Sequence, residues 1–325
     1  NFYGGGYEQL FKNYSQLILN NQESLWEIAF EPNQGQTDNS GMWATYNGPI
    51  VDAPGSYSGT SSYMGRANAF FTVLPYWKSF YESNADGSQK DVRRDVNFVD
   101  YAYVWNATTE TQDKSYTASS IAKSLYRYPG KWRREWMALG FVDPNHTGVN
   151  YCPLRYADVV LMAAEAYNET NNTTEAWKLL NDVRQRAEAT PITSANYASL
   201  MKAPKVYNLD FIDDSDDAGK FRTALYWERG FELCYEGQRK YDFLRWGCLG
   251  DALRAAQAYI ESWYPDANEY INASTLQSWD PVSWASSNYV AGHNFVDGKH
   301  ELYPIPLAEI QSNAALNGQN NPGFE

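Results

Sequence analysis

Glu228, Glu232 and Glu236 recur every fourth residue in a stretch that reads LYWERGFELCYEGQRKYDFLRWG over 225–247. On a helix they stack along one face, where like charges cost about 0.2–0.5 kcal/mol per pair. Arg229, Arg239, Lys240 and Arg245 are spaced to offset that cost: Arg229 with Glu232 and Glu236 with Arg239 are i,i+3 neighbours, and Glu236 with Lys240 is i,i+4. Paired carboxylates can act as general acid and base, the arrangement glycoside hydrolysis uses. The same charges can instead fix how two helices pack, because structural ion-pair networks perturb ionisable groups as active sites do. Trp227, Phe231 and Cys234 supply an apolar stripe beside them, and Gly237 marks a break between two helical pieces.

Composition narrows the choice. A chain of 325 residues is long enough to bury a sizeable core. Its 26 Lys and Arg against 39 Asp and Glu give a net charge of −13, which repels phosphate backbones and anionic head groups and excludes nucleic acid as a partner. The 12 Trp, 26 Tyr and 14 Phe stand out, set among abundant Asn, Gln, Ser and Thr. Flat rings beside hydroxyl and amide groups suit a pyranose, which offers an apolar C–H face and a rim of hydroxyls. Core packing and loop anchoring account for many of these rings as well. Cys152, Cys234 and Cys248 make neither an even disulfide framework nor a close metal-ligand pair. No run approaches 18 apolar residues, and the start NFYGGGYEQL reads as a processed or truncated piece.

The elements that must position these residues follow from periodicity. Tyr7, Leu10, Phe11, Tyr14, Leu17 and Ile18 keep helical spacing, and 25–30 alternates like a strand. Residues 32–65 lose all period and carry Trp43, Tyr46, Tyr57 and Tyr63 among Gly, Ser, Thr, Asn and Pro; 264–300 form a second aromatic, polar loop with Trp279 and Trp284. The spacing predicts a helix over 66–81, bent near Pro75, and strand over 91–105 with a hairpin. Residues 82–91 imitate a calcium loop through Glu82, Asn84, Asp86 and Gly87, but Arg93 stands where the bidentate acid is needed, so no metal is expected. A helix is predicted over 153–170, opening on Pro153, and a second after Asn172, with Glu175 completing a capping box. Together they make a helical hairpin of about tetratricopeptide length. The acids of 210–217 are placed to cap the next helix, and a further helix follows over 249–263.

Three sets of residues, in this order, resemble the SusD/RagB nutrient-binding lipoproteins. They are Leu154, Arg155, Tyr156, Ala157 and Asp158 with Asn181–Ala187; Glu228, Arg229, Glu232, Glu236, Gly237, Arg239, Asp242 and Arg245–Gly247; and Tyr303–Pro306 with Glu309, Ile310, Gln319 and Asn320. The resemblance implies a single domain over 1–325, mainly α with a little β. Tetratricopeptide-like hairpins, mainly in 153–263, scaffold a loop-rich face in 32–65 and 264–300. It further implies non-catalytic capture of glycans at the outer-membrane surface, hand-over to a SusC-like TonB-dependent transporter, and a membrane tie only through a lipid anchor absent from this chain. No cofactor is implied. The family's first helical-repeat half lies outside the resemblance.

Motif residues then belong to the scaffold, and ligand contacts are sought among the loop rings Trp43, Tyr46, Tyr57 and Tyr63, with Trp279 and Trp284 in reserve. Two other classes stay open: a glycoside hydrolase, which also needs aromatics and paired carboxylates, and a helical-repeat adaptor for a protein partner. A Ser or Cys hydrolase has little support, because GSYSG centres on Tyr57 and the three histidines lack partner spacing.

Overall fold

The computed structural model describes residues 1–19, 22–31, 41–51, 64–68, 73, 77–116, 128–139, 145–200, 214–268 and 294–324. The chain divides into two compact units, Asn1–Ala203 with Ile212–Arg239, and Pro204–Phe211 with Lys240–Glu325.

In the first unit, α1 (Tyr7–Ser15) buries Tyr7, Leu10, Phe11 and Tyr14, the stripe its spacing predicts, against Val96, Trp132 and Val149. Strand β1 (Ser24–Ile28) follows, then a short helix α2 (Trp43–Asn47). This helix corrects the expectation of an aperiodic run: Ala44 and Thr45 turn fully inward, which fixes one helical turn without a hydrophobic period to announce it. The helix expected over 66–81 is also corrected where it is described. Ala67 is extended in a bridge with Val51, and only a 3-10 turn forms at Trp77–Phe80.

A second correction falls on 91–105. Its start is the helical turn α3 (Arg93–Asn97), since Asp91 accepts from the Arg93 backbone N–H at 3.0 Å and winds the chain. The strands come after: β2 (Phe98–Val99), then the hairpin β3 (Tyr101–Asn106) and β4 (Thr111–Tyr116), with Tyr101 opposite Tyr116. β5 (Tyr128–Pro129) pairs with β2, and at Gly130 a Cβ would sit 2.3 Å from the Val96 carbonyl, so only glycine passes there.

β6 (Tyr151–Arg155) pairs antiparallel with β1, Trp26 facing Leu154. Pro153 therefore lies in a strand, and helix α4 (Tyr156–Glu169) starts after it, because Arg155 is held extended at φ −130°. A strand that interrupts its ladder with bulges tolerates that proline. Helix α5 (Thr173–Arg186) begins as predicted, with the Asn172 side chain accepting from the Glu175 N–H at 3.4 Å. The two form the expected tetratricopeptide-like hairpin. After α6 (Tyr197–Leu200), helix α7 (Asp217–Glu232) is capped by Asp216, which accepts from Gly219 N–H at 2.7 Å, and packs on both α4 and α5. Its apolar face carries Trp227 and Phe231 onto Trp77 and Phe80.

The second unit contains α8 (Arg239–Arg245), all but its first residue, then α9 (Leu249–Asn268) and α10 (Leu307–Ser312). α9 extends five residues beyond the helix expected over 249–263.

Candidate functional site

Glu228 and Glu232 lie at the C-terminal end of α7 and Glu236 just beyond it, and the backbone explains how all three converge. Glu228 and Glu232 share a helix face, while the chain leaves the helix after Glu232 and passes through positive φ at Tyr235 (61°) and Gly237 (87°), which turns Glu236 back onto the same centre. All three are buried.

Their partners are not the neighbours the spacing suggests. Glu228 takes Arg93 Nη1 at 2.5 Å and Arg184 Nη1 at 2.8 Å. Glu232 takes Arg93 at 3.1 Å and Arg155 at 2.6 Å, and is also paired with Arg186. Glu236 takes Arg155 Nε at 2.6 Å, Arg155 Nη2 at 2.8 Å and Lys131 Nζ at 2.5 Å. Glu23, fully buried, closes the ring by accepting from Arg155 at 2.8 Å and Arg186 at 3.0 Å. Asp91 binds Arg93 through two nitrogens, and Arg184 reaches Glu82. Arg229 pairs instead with Asp158 on α4 at 2.8 Å, and Arg239 donates to the Tyr226 carbonyl and stacks on its ring at 4.1 Å.

Burial alone would raise the Glu232 carboxyl, but Arg186, Arg155 and Arg93 outweigh it and hold the group far below the usual carboxylate range. Glu236 is lowered likewise: burial opposes, Arg155 and Lys131 prevail. Lys131 is pushed below its ordinary value by burial, which Glu236 only partly offsets. A general acid or base must exchange its proton near the working pH. Carboxylates fixed as anions, with every oxygen engaged, do not. A depression of about 430 Å³ along Lys178, Asn181, Asp182, Gln185, Glu188, Ala189 and Pro191 contains none of them. The cluster is an internal ion-pair core that ties α7 to α3, α4, α5 and β6.

The other chemical candidates are also spent on structure. Glu82 of the calcium-like loop accepts from Thr190 N–H and Arg184, and Asp86 accepts from the Ser88 N–H and hydroxyl. Desolvation pushes the Cys234 thiol up to about 11, away from a reactive thiolate. His300 Nδ1 accepts from the Val296 N–H at 2.8 Å.

Of the predicted ligand rings, Tyr57, Tyr63, Trp279 and Trp284 lie outside the described residues. Trp43 and Tyr46 sit on α2, both half-buried. The Trp43 ring is 4.8 Å from Tyr151 and 6.2 Å, edge to face, from Trp132. The buried indole nitrogens of Trp43 and Trp132 have no hydrogen-bond partner. The Tyr46 hydroxyl donates to the Met42 sulfur at 3.3 Å. Sequence reasoning missed Arg93, Lys131, Arg155, Arg184 and Arg186 as partners of the acids, and Glu23 as a fourth acid among them. The available signal was an arginine at a stripe position, since Arg184 follows Leu180 and Val183 on the inner face of α5.

Comparison with known proteins places this geometry. A family model described as the SusD family matches residues 22–324. SusD-like protein P2 of Formosa agariphila is 28% identical over 311 residues, covering 93% of this chain and 48% of its own. A SusD homolog from Bacteroides thetaiotaomicron VPI-5482 aligns with a TM-score of 0.71 at 26% identity, over 100% of this chain and 56% of its own. Surface glycan-binding protein A from Bacteroides thetaiotaomicron, in complex with laminarihexaose, has the same fold at a TM-score of 0.53 and 17% identity, over 98% and 56%. The chain spans about half the length of these relatives.

Proposed function

The chain belongs to the SusD family, and from that premise we propose that it binds glycans without turning them over, at the surface of an outer membrane. The observation that carries this reading is the family match through 22–324, which includes the ion-pair core and so reads that core as scaffold. The surface glycan-binding protein of the same fold holds laminarihexaose, which recommends laminarin for a first panel. Lipid anchorage and delivery of the captured oligosaccharide to a SusC-like TonB-dependent transporter belong to the same proposal, as does a single family domain over 1–325.

The proposed contacts are Trp43, Tyr46, Tyr57 and Tyr63, with Trp279 and Trp284 in reserve. Ring stacking on a sugar is worth roughly 0.5–1.5 kcal/mol beyond the area it covers. Alanine at a true contact is therefore expected to weaken binding about tenfold. Unchanged affinity in both Trp43→Ala and Tyr57→Ala moves the site to the 264–300 loop.

The test is affinity electrophoresis of the chain through gels holding laminarin and other plant, bacterial and host polysaccharides, with an assay for reducing ends in parallel. Retardation with no new reducing ends is the expected result. Released reducing ends would make it a glycoside hydrolase, and no retardation by any polymer would leave a helical-repeat adaptor.

A further inference from the structure

We propose that the hairpin of β3 and β4 carries a further sugar subsite, formed by Tyr116, Lys114 and Glu135, that takes one pyranose unit of the glycan; this rests on the glycan-binding reading and adds contacts outside the loop rings. The ladder explains how these residues meet. Tyr116 stands opposite Tyr101 and Lys114 opposite Tyr103, so alternation puts Tyr116, Lys114 and Tyr101 on one face of the hairpin. That face is anchored at β3, where Tyr101 and Tyr103 are buried with Val51, Ala67, Val99 and Tyr128. At β4 it opens to solvent, and the Tyr116 ring is 64% exposed.

The polar groups beside that ring are held in place. Lys114 Nζ bonds to Glu135 at 2.7 Å and lies 4.4 Å over the Tyr101 ring, while the Tyr101 hydroxyl donates to Glu135 at 2.8 Å. Arg133 stands 3.8 Å from the same carboxylate. The Tyr101 and Tyr116 rings meet edge to face at 5.5 Å. Both charged side chains keep a part in solvent, 36% for Lys114 and 19% for Glu135. An ammonium is a multiple donor and a carboxylate a multiple acceptor, so the pair retains hydrogen-bonding capacity at that exposed edge.

A pyranose needs both parts of this arrangement. Its C–H face covers a flat ring, and its hydroxyls need donors and acceptors fixed at the rim. Two other exposed rings each lack one part. Trp26, 59% exposed, stands opposite Leu154, an apolar neighbour that offers nothing to a hydroxyl. Tyr303 carries Lys240 over its ring at 4.2 Å, so a cation already lies where a sugar would stack. The hairpin also adjoins the stretch that holds Trp43 and Tyr46: the Tyr103 N–H donates to the Ile50 carbonyl at 2.8 Å, three residues beyond α2. Side chains on a paired strand are positioned more precisely than those on a loop, which suits a subsite.

The experiment runs the parent chain beside Tyr116→Ala, Tyr116→Phe and Lys114→Met in affinity gels holding laminarin or any other polysaccharide that retards the parent, with a thermal melt of each protein. Tyr116→Ala is expected to bind about tenfold more weakly and Lys114→Met about threefold, while Tyr116→Phe stays within about twofold. The two Tyr116 variants should melt within a few degrees of the parent, because the side chain they change is exposed. In the parent itself, saturating polymer is expected to slow nitration of Tyr116 by tetranitromethane severalfold, read by mass spectrometry, a measurement that needs no variant to fold. Parent-like retardation of Tyr116→Ala, or nitration unchanged by the polymer, overturns the inference and leaves glycan binding standing. A loss in Tyr116→Phe as large as in Tyr116→Ala overturns it too, because the effect then belongs to the hydroxyl and not to the ring. Failure of every polymer to retard the parent removes the glycan reading itself, and this inference with it.

Discussion

Two regions of the first unit treat their polar groups in opposite ways. At the end of α7, four glutamates and five cations are buried together and each carboxylate oxygen accepts at least one charge-assisted hydrogen bond. Around α2, two buried indole N–H groups have no partner and a tryptophan ring stays half covered. An orphaned buried donor costs about 1–3 kcal/mol. The first region is over-determined and permits one arrangement. The second carries unmet polar groups inside and leaves part of the Trp43 ring exposed, and exposed ring is the surface a stacked sugar would cover.

The largest break in that contrast comes from Arg155→Leu, which strips partners from Glu23, Glu232 and Glu236 at once. Removing one member of a buried ion pair costs about 3–5 kcal/mol. The variant should therefore show a thermal midpoint lowered by many degrees or fail to fold. A melt within a degree or two of the parent would mean the network adds little.

Acid probes the same region more gently. Glu232 and Glu236 have folded values below the unfolded carboxylate value of about 4.3, so each lends stability above that pH and loses it as pH falls through its folded value. Urea midpoints should hold from neutral pH down to about pH 5 and then decline steadily. A midpoint that stays flat to about pH 3 contradicts the assignment.

Around α2 the stakes are lower. Trp43→Ala is expected to cost about 2 kcal/mol, below the 3–5 of a fully buried tryptophan, because the ring is only half covered. Denaturant titration measures this, and a loss above about 4 kcal/mol would assign Trp43 to the core rather than the surface. Smaller still, Asn172→Ala removes the α5 cap and should cost about 1 kcal/mol. Smallest is Arg222→Ala, which breaks the exposed pair with Glu169 and should shift the midpoint by well under 1 kcal/mol.

Local chemistry was legible in the sequence wherever a signal and its effect lie within one turn. The α1 stripe, the Asn172 cap, the Asp216 cap and the hairpin of α4 and α5 all follow from residues three or four apart. Pro153 misled because its fixed φ suits a first helical turn and an irregular strand alike. The charge partners were illegible for a different reason. Arg93 and Glu228 are 135 residues apart, Lys131 and Glu236 105, Arg155 and Glu232 77, and periodicity carries nothing over such distances. For the candidate site, the abundance of rings was readable, but Trp43 was expected on an open loop and lies on a helical turn against Trp132 and Tyr151.

The order in which the ion-pair core is written along the chain sets when it can close. Its cations enter early, at Arg93, Lys131, Arg155, Arg184 and Arg186, and three of the acids that neutralise them come last, at Glu228, Glu232 and Glu236. Until residue 236 is free, the early acids Glu23, Glu82 and Asp91 face five cations, and the surplus positive charge resists burial. The core thus works as an end-of-synthesis lock: most of the first unit must be present before any large part of it can be sealed.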